Sequence, residues 1–147
     1  MAFSLILSPG LAQKLKVELK SYRVVLTKGE HGLVLEKLLP GVQAPPGEVI
    51  LYRLVAKNEG EEPARYVQLV IPVPEHTTYV PGSACPLKIG PDVLVPPQFS
   101  TNGEDFTLTP VLKDEEGNEL AITHVAWVVP ELAPGAEVEV SIKVKVR

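Results

Sequence analysis

Proline and glycine interrupt this chain so often that long helices have little room. Fifteen prolines and eleven glycines make up 26 of its 147 residues, about 18%, against an average usage of roughly 12%. Proline ends helices, and within sheets it is confined to edges, turns and first positions. The chain is long enough for one domain with a buried core, so the spacing predicts many short elements joined by turns.

Between the turn residues, apolar and polar side chains alternate with the period of two that marks a half-buried strand. The segment 137–146 places Val138, Val140, Ile142, Val144 and Val146 on one face and charged or polar residues on the other. The segment 49–58 is apolar on both faces at its start, which predicts a central strand. The full set of predicted strands is 14–19, 22–27, 31–39, 49–58, 66–73, 77–80, 87–89, 93–95, 106–111, 124–129 and 137–146.

Three tight connections are predicted between these strands. Asn58 and Gly60 suit a turn that needs positive φ, and Pro134-Gly135 suits the two central positions of a type II turn. The residues 114–118 predict a hairpin tip. No segment shows the sustained apolar spacing and caps of a helix. We therefore predict an all-β fold, an immunoglobulin-like antiparallel β-sandwich formed by residues 13–147 as a single domain.

The charge and composition bear on partners and source. Fourteen basic and 18 acidic residues give a net charge of −4, which provides no drive toward nucleic acid. Fifteen of the acids are glutamate, and Asn, Gln, Cys and Met are scarce. Few thermolabile residues together with proline-rich loops are typical of a thermophilic source.

The first twelve residues, MAFSLILSPGLA, are apolar and lack the alternation that follows. Gly10 and Ala12 stand where small residues precede a signal-peptidase cleavage site. We interpret residues 1–12 as a signal-peptide remnant or a flexible arm, and we expect the domain to be exported to the periplasm, the cell surface or the medium. The stretch is too short to span a membrane, which takes about 20 apolar residues.

Two parts of the chain resemble a known family. The segment 46–83 has the Pro-Gly-acidic start Pro46-Gly47-Glu48, a strand with Tyr52, the turn Asn58-Glu59-Gly60 and the stretch Pro74, Thr78-Tyr79-Val80, Gly82-Ser83. Near the end, Trp127 and Leu132-Ala133-Pro134-Gly135 precede a valine-rich strand. These motifs resemble the bacterial "conserved repeat" domain, domain of unknown function eleven. The resemblance covers roughly 45–147 and departs from the family at 84–123.

The resemblance implies an immunoglobulin-like sandwich in secreted or cell-surface proteins, often in tandem arrays. Only one copy is present in this sequence, which weakens the interpretation as one spacer in an array. The family supplies no catalytic residues that map onto this chain.

Single residues carry two interpretations each. Trp127, the only tryptophan, is predicted to be a core anchor, with ligand stacking as the alternative. Cys85 has no partner for an intrachain disulfide, and we expect it to be a small buried hydrophobe, with an exposed thiol or an intermolecular bridge as the alternatives.

The charged side chains that bear on function are few. His31, His76 and His124 have no second ligand at metal-binding spacing, and we predict no cofactor and no metal. The basic side chains of the first and last long strands predict protected sheet edges, with a patch for a polyanion as the alternative. They are Lys14, Lys16, Lys20, Lys143, Lys145 and Arg147.

The composition and motifs favour a non-catalytic domain over an enzyme. The first hypothesis is an exported or cell-envelope module that binds an envelope protein or a surface polymer; the second is a purely structural spacer; the third is an uncharacterised hydrolase or an enzyme accessory domain. For binding, we predict the proline-rich middle, 85–110, because loops on a rigid sandwich carry recognition. Its candidate partner-binding residues are Leu94, Val95 and Phe99. The alternative for Phe99 is that its ring folds back and closes one end of the sandwich.

Overall fold

The computed structural model describes residues 15–28, 34–40 and 45–147, and these residues form ten strands and no helix. The strands are β1 (Leu15–Lys28), β2 (Val34–Pro40), β3 (Val49–Asn58), β4 (Ala64–Pro72), β5 (Thr77–Tyr79), β6 (Leu87–Ile89), β7 (Val93–Val95), β8 (Gln98–Ser100), β9 (His124–Leu132) and β10 (Glu137–Val146). The all-β prediction is confirmed. Residues 1–12, Lys14 and His31 lie outside the described residues.

Two antiparallel sheets enclose the core. One has the order β2-β1-β3-β10-β5 and the other β4-β9-β8, with β6 and β7 forming a separate hairpin. The inward residues of β3, Ile50 to Ala56, meet those of β4 and β9 in one buried cluster. Trp127 and Leu54 have no exposed surface. Burying side chains from two facing sheets in one layer is the arrangement of a β-sandwich.

The order of strands departs in one respect from a constant-type immunoglobulin domain. In that domain the last two strands are neighbours in one sheet. Here β9 pairs with β4 and β8, while β10 pairs with β3 and β5 in the opposite sheet. The sandwich is therefore established, and the immunoglobulin-like assignment is not confirmed.

The position of β3 agrees with its sequence. It lies between β1 and β10, and its outward residue Leu51 is buried as well as the inward ones. The predicted strands 14–19 and 22–27 are one continuous strand, β1, which pairs with β3 from Leu15 to Val24 and with β2 from Tyr22 to Lys28.

Asn58 links the two connections that cross between the sheets here, the one from β3 to β4 and the one from β9 to β10. Its side-chain Nδ2 donates to the carbonyls of Leu132 (2.9 Å) and Glu62 (2.8 Å), and its Oδ1 accepts from the Gly60 amide (2.9 Å). Its backbone exchanges hydrogen bonds with the turn between β9 and β10, to Ala136 and from Gly135. The prediction of positive φ at Asn58 and Gly60 is wrong, because neither residue has it. Asn58 acts through its buried amide, which stabilises the corner with hydrogen bonds.

The predicted turn at Pro134-Gly135 is confirmed. Gly135 has φ of 79°, and the Ala136 amide donates to the Ala133 carbonyl over 2.9 Å. Positive φ at the third residue of a type II turn is what favours glycine there.

A bend in β4 and β9 reverses the alternation of side chains near this corner. Tyr66 has φ of 52° and stands opposite Pro130, between two ladder pairs. Across this point the inward-facing positions of both strands shift from odd-numbered to even-numbered residues. Ala64 and Leu132 are therefore both buried. Positive φ is rare for an aromatic residue, and here it leaves the Tyr66 ring exposed at the apex of the bend.

Candidate interaction surface

The middle of the chain, 85–123, is anchored to the core by Trp127. The buried indole Nε1 donates to the Cys85 carbonyl over 3.1 Å. Two residues further on, Leu87 pairs with Val95 across the β6–β7 hairpin, and both side chains are buried in the core cluster. The preceding residue, Ala84, donates its amide to Tyr79 Oη. We call residues 85–123 the insertion segment.

A second anchor is β8, which adds to the edge of β9. Phe99 exchanges two backbone hydrogen bonds with Thr107, of 2.8 and 3.0 Å, and its ring lies 5.6 Å from that of Tyr79. Ser100 is buried, and its Oγ accepts from the amides of Asn102 and Gly103. These bonds fix the loop that follows β8.

His124, the first residue of β9, packs against the same loop on its inner side. A Cβ atom added at Gly103 would approach the His124 ring to 3.0 Å, so the loop backbone packs directly on the imidazole. The Phe106 ring meets it edge-on with centroids 6.5 Å apart, and Nδ1 lies 2.8 Å from Thr123 Oγ1. Burial lowers the pKa of His124 from its ordinary value.

The predicted hairpin tip closes on Asp114. The amides of Glu116 and Asn118 donate to its Oδ1, and the Asn118 amide is the main cause that lowers the pKa of Asp114. Gly117 has positive φ. The tip at 114–118 is confirmed as a turn, although its flanks pair only through Lys113 and Glu119.

Most of the exposed apolar surface of the described residues lies on this segment. Seven large hydrophobic side chains are exposed among them, and five belong to the insertion segment: Val93, Leu94, Leu108, Val111 and Leu112. We call these five the exposed apolar set. Leu94 and Val111 are 64% and 73% exposed. Their concentration in one segment makes that segment a candidate contact surface.

The insertion segment is also strongly acidic. It contains seven acidic residues and two basic ones, a net charge of −5, whereas the rest of the chain has 11 acidic and 12 basic residues, a net charge of +1. All three aspartates of the protein, Asp92, Asp105 and Asp114, lie in it. Its exposed apolar side chains are therefore surrounded in sequence by carboxylates.

The three predicted binding residues separate in the structure. Leu94 is exposed, Val95 is buried, and Phe99 is half-buried against the core. They do not form one exposed patch, because adjacent residues of β7 point to opposite faces and the Phe99 ring turns toward Tyr79. Phe99 therefore packs against the core beside Tyr79 and is not part of an exposed patch.

Sequence reasoning missed Leu108, Val111 and Leu112. The prediction of a strand at 106–111 is wrong, since only Thr107 makes an isolated bridge there, and β8 was not predicted. The sequence did carry a signal for this region. The net negative charge of 85–123 and its three aspartates indicate that the segment lies at the surface.

Two single-residue predictions have clear outcomes. Trp127 is buried with its N–H bonded, so the prediction of a core anchor is confirmed. The expectation that Cys85 is buried is wrong, because its side chain is exposed; the neighbouring Leu87 enters the core, while the Cys85 carbonyl bonds Trp127.

The lysines predicted to protect sheet edges divide between edge and interior positions. β1 pairs with β2 only from Tyr22 onward, so among the described residues Lys16 and Lys20 have β3 alone beside them and lie on an edge stretch, as predicted. Lys145 pairs with β3 on one side and β5 on the other, and the Lys143 carbonyl accepts from the Val80 amide, so the edge interpretation is wrong for these two. Salt bridges explain part of the set, since Lys16 and Lys20 each lie 3.7 Å from Glu18.

Other kinds of site were sought within the same residues. Over 15–28, 34–40 and 45–147, no three His, Cys, Asp or Glu side chains come together in a way that could hold a metal ion. No helix in that part of the chain has the length and apolarity to cross a membrane.

Comparison of the chain with protein-family models, with curated proteins and with solved structures finds no match. The resemblance to the conserved repeat domain therefore stays a prediction.

Proposed function

We propose that this chain is a non-catalytic exported or cell-envelope domain that binds another protein through the insertion segment. The observation that carries the proposal is the exposed apolar set, five side chains left in water on a segment with a rigid attachment to the core. Apolar anchors held on a fixed backbone lose little conformational entropy on binding. Export is supported by the apolar residues 1–12.

The charge of the segment favours a protein over a surface polymer. Seven carboxylates against two basic residues repel an anionic envelope polymer. A protein surface can combine apolar groups with basic ones, and interfaces are arranged so that opposite potentials meet. The proposed partner therefore presents apolar side chains bordered by lysine or arginine.

Binding is tested by removing two exposed apolar side chains together, Leu94→Ser with Val111→Ser. The full chain is immobilised, exposed to an envelope extract of the source organism, and the captured proteins are quantified. The double variant should lose most of the proteins that the wild type captures. Hydrogen exchange of the recovered complex should show protection over 85–123.

Two control variants separate binding from folding. Tyr66→Asn removes an equally exposed ring, 70% exposed, at a position whose positive φ asparagine tolerates, and should leave capture unchanged. Phe99→Ala should lower the stability of the domain and leave capture unchanged. Equal capture by the wild type and the Leu94/Val111 variant would refute the binding proposal and favour a purely structural domain.

Export has a separate test. Mass spectrometry of the native protein should find an N-terminus near Gln13, as cleavage after Ala12 requires. An intact Met1 on protein recovered from the cytosol would contradict export.

A further inference from the structure

One end of the outer face of the five-stranded sheet is apolar and open. A cavity of about 530 Å³ lies there, lined by Val24, Val25, Leu26, Gly47, Glu48, Val49, Val80 and Lys143. Leu26 is 68% exposed. The outward residues of β1, β3 and β10 meet here, since Val24 pairs with Val49 and Val49 with Lys145. This volume is within the usual range of binding clefts, and most of its walls are aliphatic.

The same end of the sheet is basic. Lys143, Lys145 and Arg147 follow one another at alternate positions, and no acidic residue stands between them. The nearest acidic residue of the cavity wall, Glu48, is held by Arg23 in a bidentate pair of 2.7 to 3.0 Å, so its charge is largely balanced. We call this area, formed by Val24, Leu26, Val49, Lys143, Lys145 and Arg147, the cationic end.

We propose that the cationic end is the docking surface for the insertion segment of a second copy of this chain. The proposal rests on the proposed function and names its partner. The two surfaces are complementary in shape of contact and in charge: exposed apolar side chains with a net charge of −5 on one, and an apolar cavity beside the exposed basic residues Lys145 and Arg147 on the other. A linear polyanion would satisfy the basic residues but leave the aliphatic walls in water.

Because the two surfaces differ, each copy offers one of each, and association is heterologous. Its charged contacts are exposed, so salt should weaken it as the Debye length falls from about 10 Å at 0.1 M toward about 3 Å at 1 M. Sedimentation velocity of the full chain should show the weight-average mass rising up to about 100 µM at low salt, a range suited to weak association, and falling back toward the monomer at high salt.

Charge reversal on each surface tests the contact directly. Lys145→Glu with Arg147→Glu on the cationic end, or Asp92→Lys with Glu115→Lys on the insertion segment, should each weaken association by at least about tenfold. The matched control is Lys16→Glu with Lys57→Glu, a pair at the opposite end of the same outer face. It changes the net charge by the same amount as Lys145→Glu with Arg147→Glu, and it should leave association unchanged.

Mixing the two charge-reversed proteins gives the sharpest result. Each variant alone can pair only an altered surface with an unaltered one, whereas the mixture can pair the unaltered segment of one variant with the unaltered cationic end of the other. The mixture should recover association that neither variant shows alone, while each variant keeps the wild-type denaturant midpoint within error.

Three outcomes would overturn the proposal: a wild type that stays monomeric at about 100 µM in low salt, association that the control pair weakens as strongly as the test pairs, or no recovery on mixing. A monomeric wild type that binds polyphosphate through Lys145 and Arg147 would assign the cationic end to a polyanion instead. Segment-dependent capture of envelope proteins by a chain that stays monomeric would leave the proposed function standing and remove only the second copy.

Discussion

The sandwich and the insertion segment satisfy their polar groups in different ways. In the sandwich, backbone groups pair along ladders between strands distant in sequence, such as β3 with β10. In the segment, most bonds join residues a few positions apart, as in the turns closed by Ser100 and Asp114. Local bonds of this kind set the shape of a loop without depending on the rest of the fold.

The two regions also differ in what they bury. The inward faces of β3, β4, β9 and β10 exclude water almost completely, whereas the exposed apolar set of the segment remains in solvent. The comparison indicates that the stability of the domain comes from the sandwich, and the proposed function assigns recognition to the segment. The two meet at the bond from Trp127 to the Cys85 carbonyl.

The largest expected effect is at that junction. Trp127→Ala removes a fully buried ring and leaves the Cys85 carbonyl without its donor, so the free energy of unfolding should fall by about 3–5 kcal/mol. Denaturant unfolding followed by circular dichroism measures it. A near-neutral midpoint would contradict the burial of the ring and restore the ligand-stacking interpretation.

The corner residue Asn58 comes next. Asn58→Ala leaves the carbonyls of Leu132 and Glu62 without their side-chain donor, which should cost about 2–3 kcal/mol. Asn58→Asp keeps the acceptor for Gly60 but cannot donate, so it should be at least as destabilising. A clearly milder Asp variant would show that the bond to Gly60, rather than the two carbonyls, stabilises the corner.

A smaller effect depends on pH and probes the contact between the regions. Because burial lowers the pKa of His124 below 6.5, the unfolded chain takes up its proton first as the pH falls. The stability from the neutral ring is complete above pH 6.5 and declines below it, toward the folded pKa. His124→Gln should flatten this part of the stability profile. An unchanged slope in the His124 variant would contradict the prediction.

The smallest expected effect lies wholly within the segment. Leu94→Ser with Val111→Ser should change the free energy of unfolding by less than about 0.5 kcal/mol per site, as surface substitutions usually do. Chemical denaturation at equilibrium measures it. A loss near that of Trp127→Ala would erase the difference between the two regions, because these side chains would then support the core.

The sequence predictions were more accurate for the sandwich than for the insertion segment. The period of two located β3 and β10 and the face that each buries, since alternation is a local property of a strand. It failed at 106–111, where proline and turn residues interrupt the pattern, and it missed β8, which directly follows Pro96 and Pro97. For the candidate surface, the predicted binding region 85–110 contains three of the five exposed apolar side chains, and of the three named residues only Leu94 is exposed.

By itself, the sequence determined that this chain folds as antiparallel strands, that Trp127 is a core residue and that Gly135 ends a turn, because each follows from neighbours a few positions away. Only the tertiary structure decided that Cys85 is exposed, that Phe99 turns inward, that Lys145 lies between β3 and β5 and that Asn58 bonds a carbonyl 74 residues away. These outcomes depend on which strands become neighbours. Pairing is set by burial summed over the whole core, which no local window of the sequence contains.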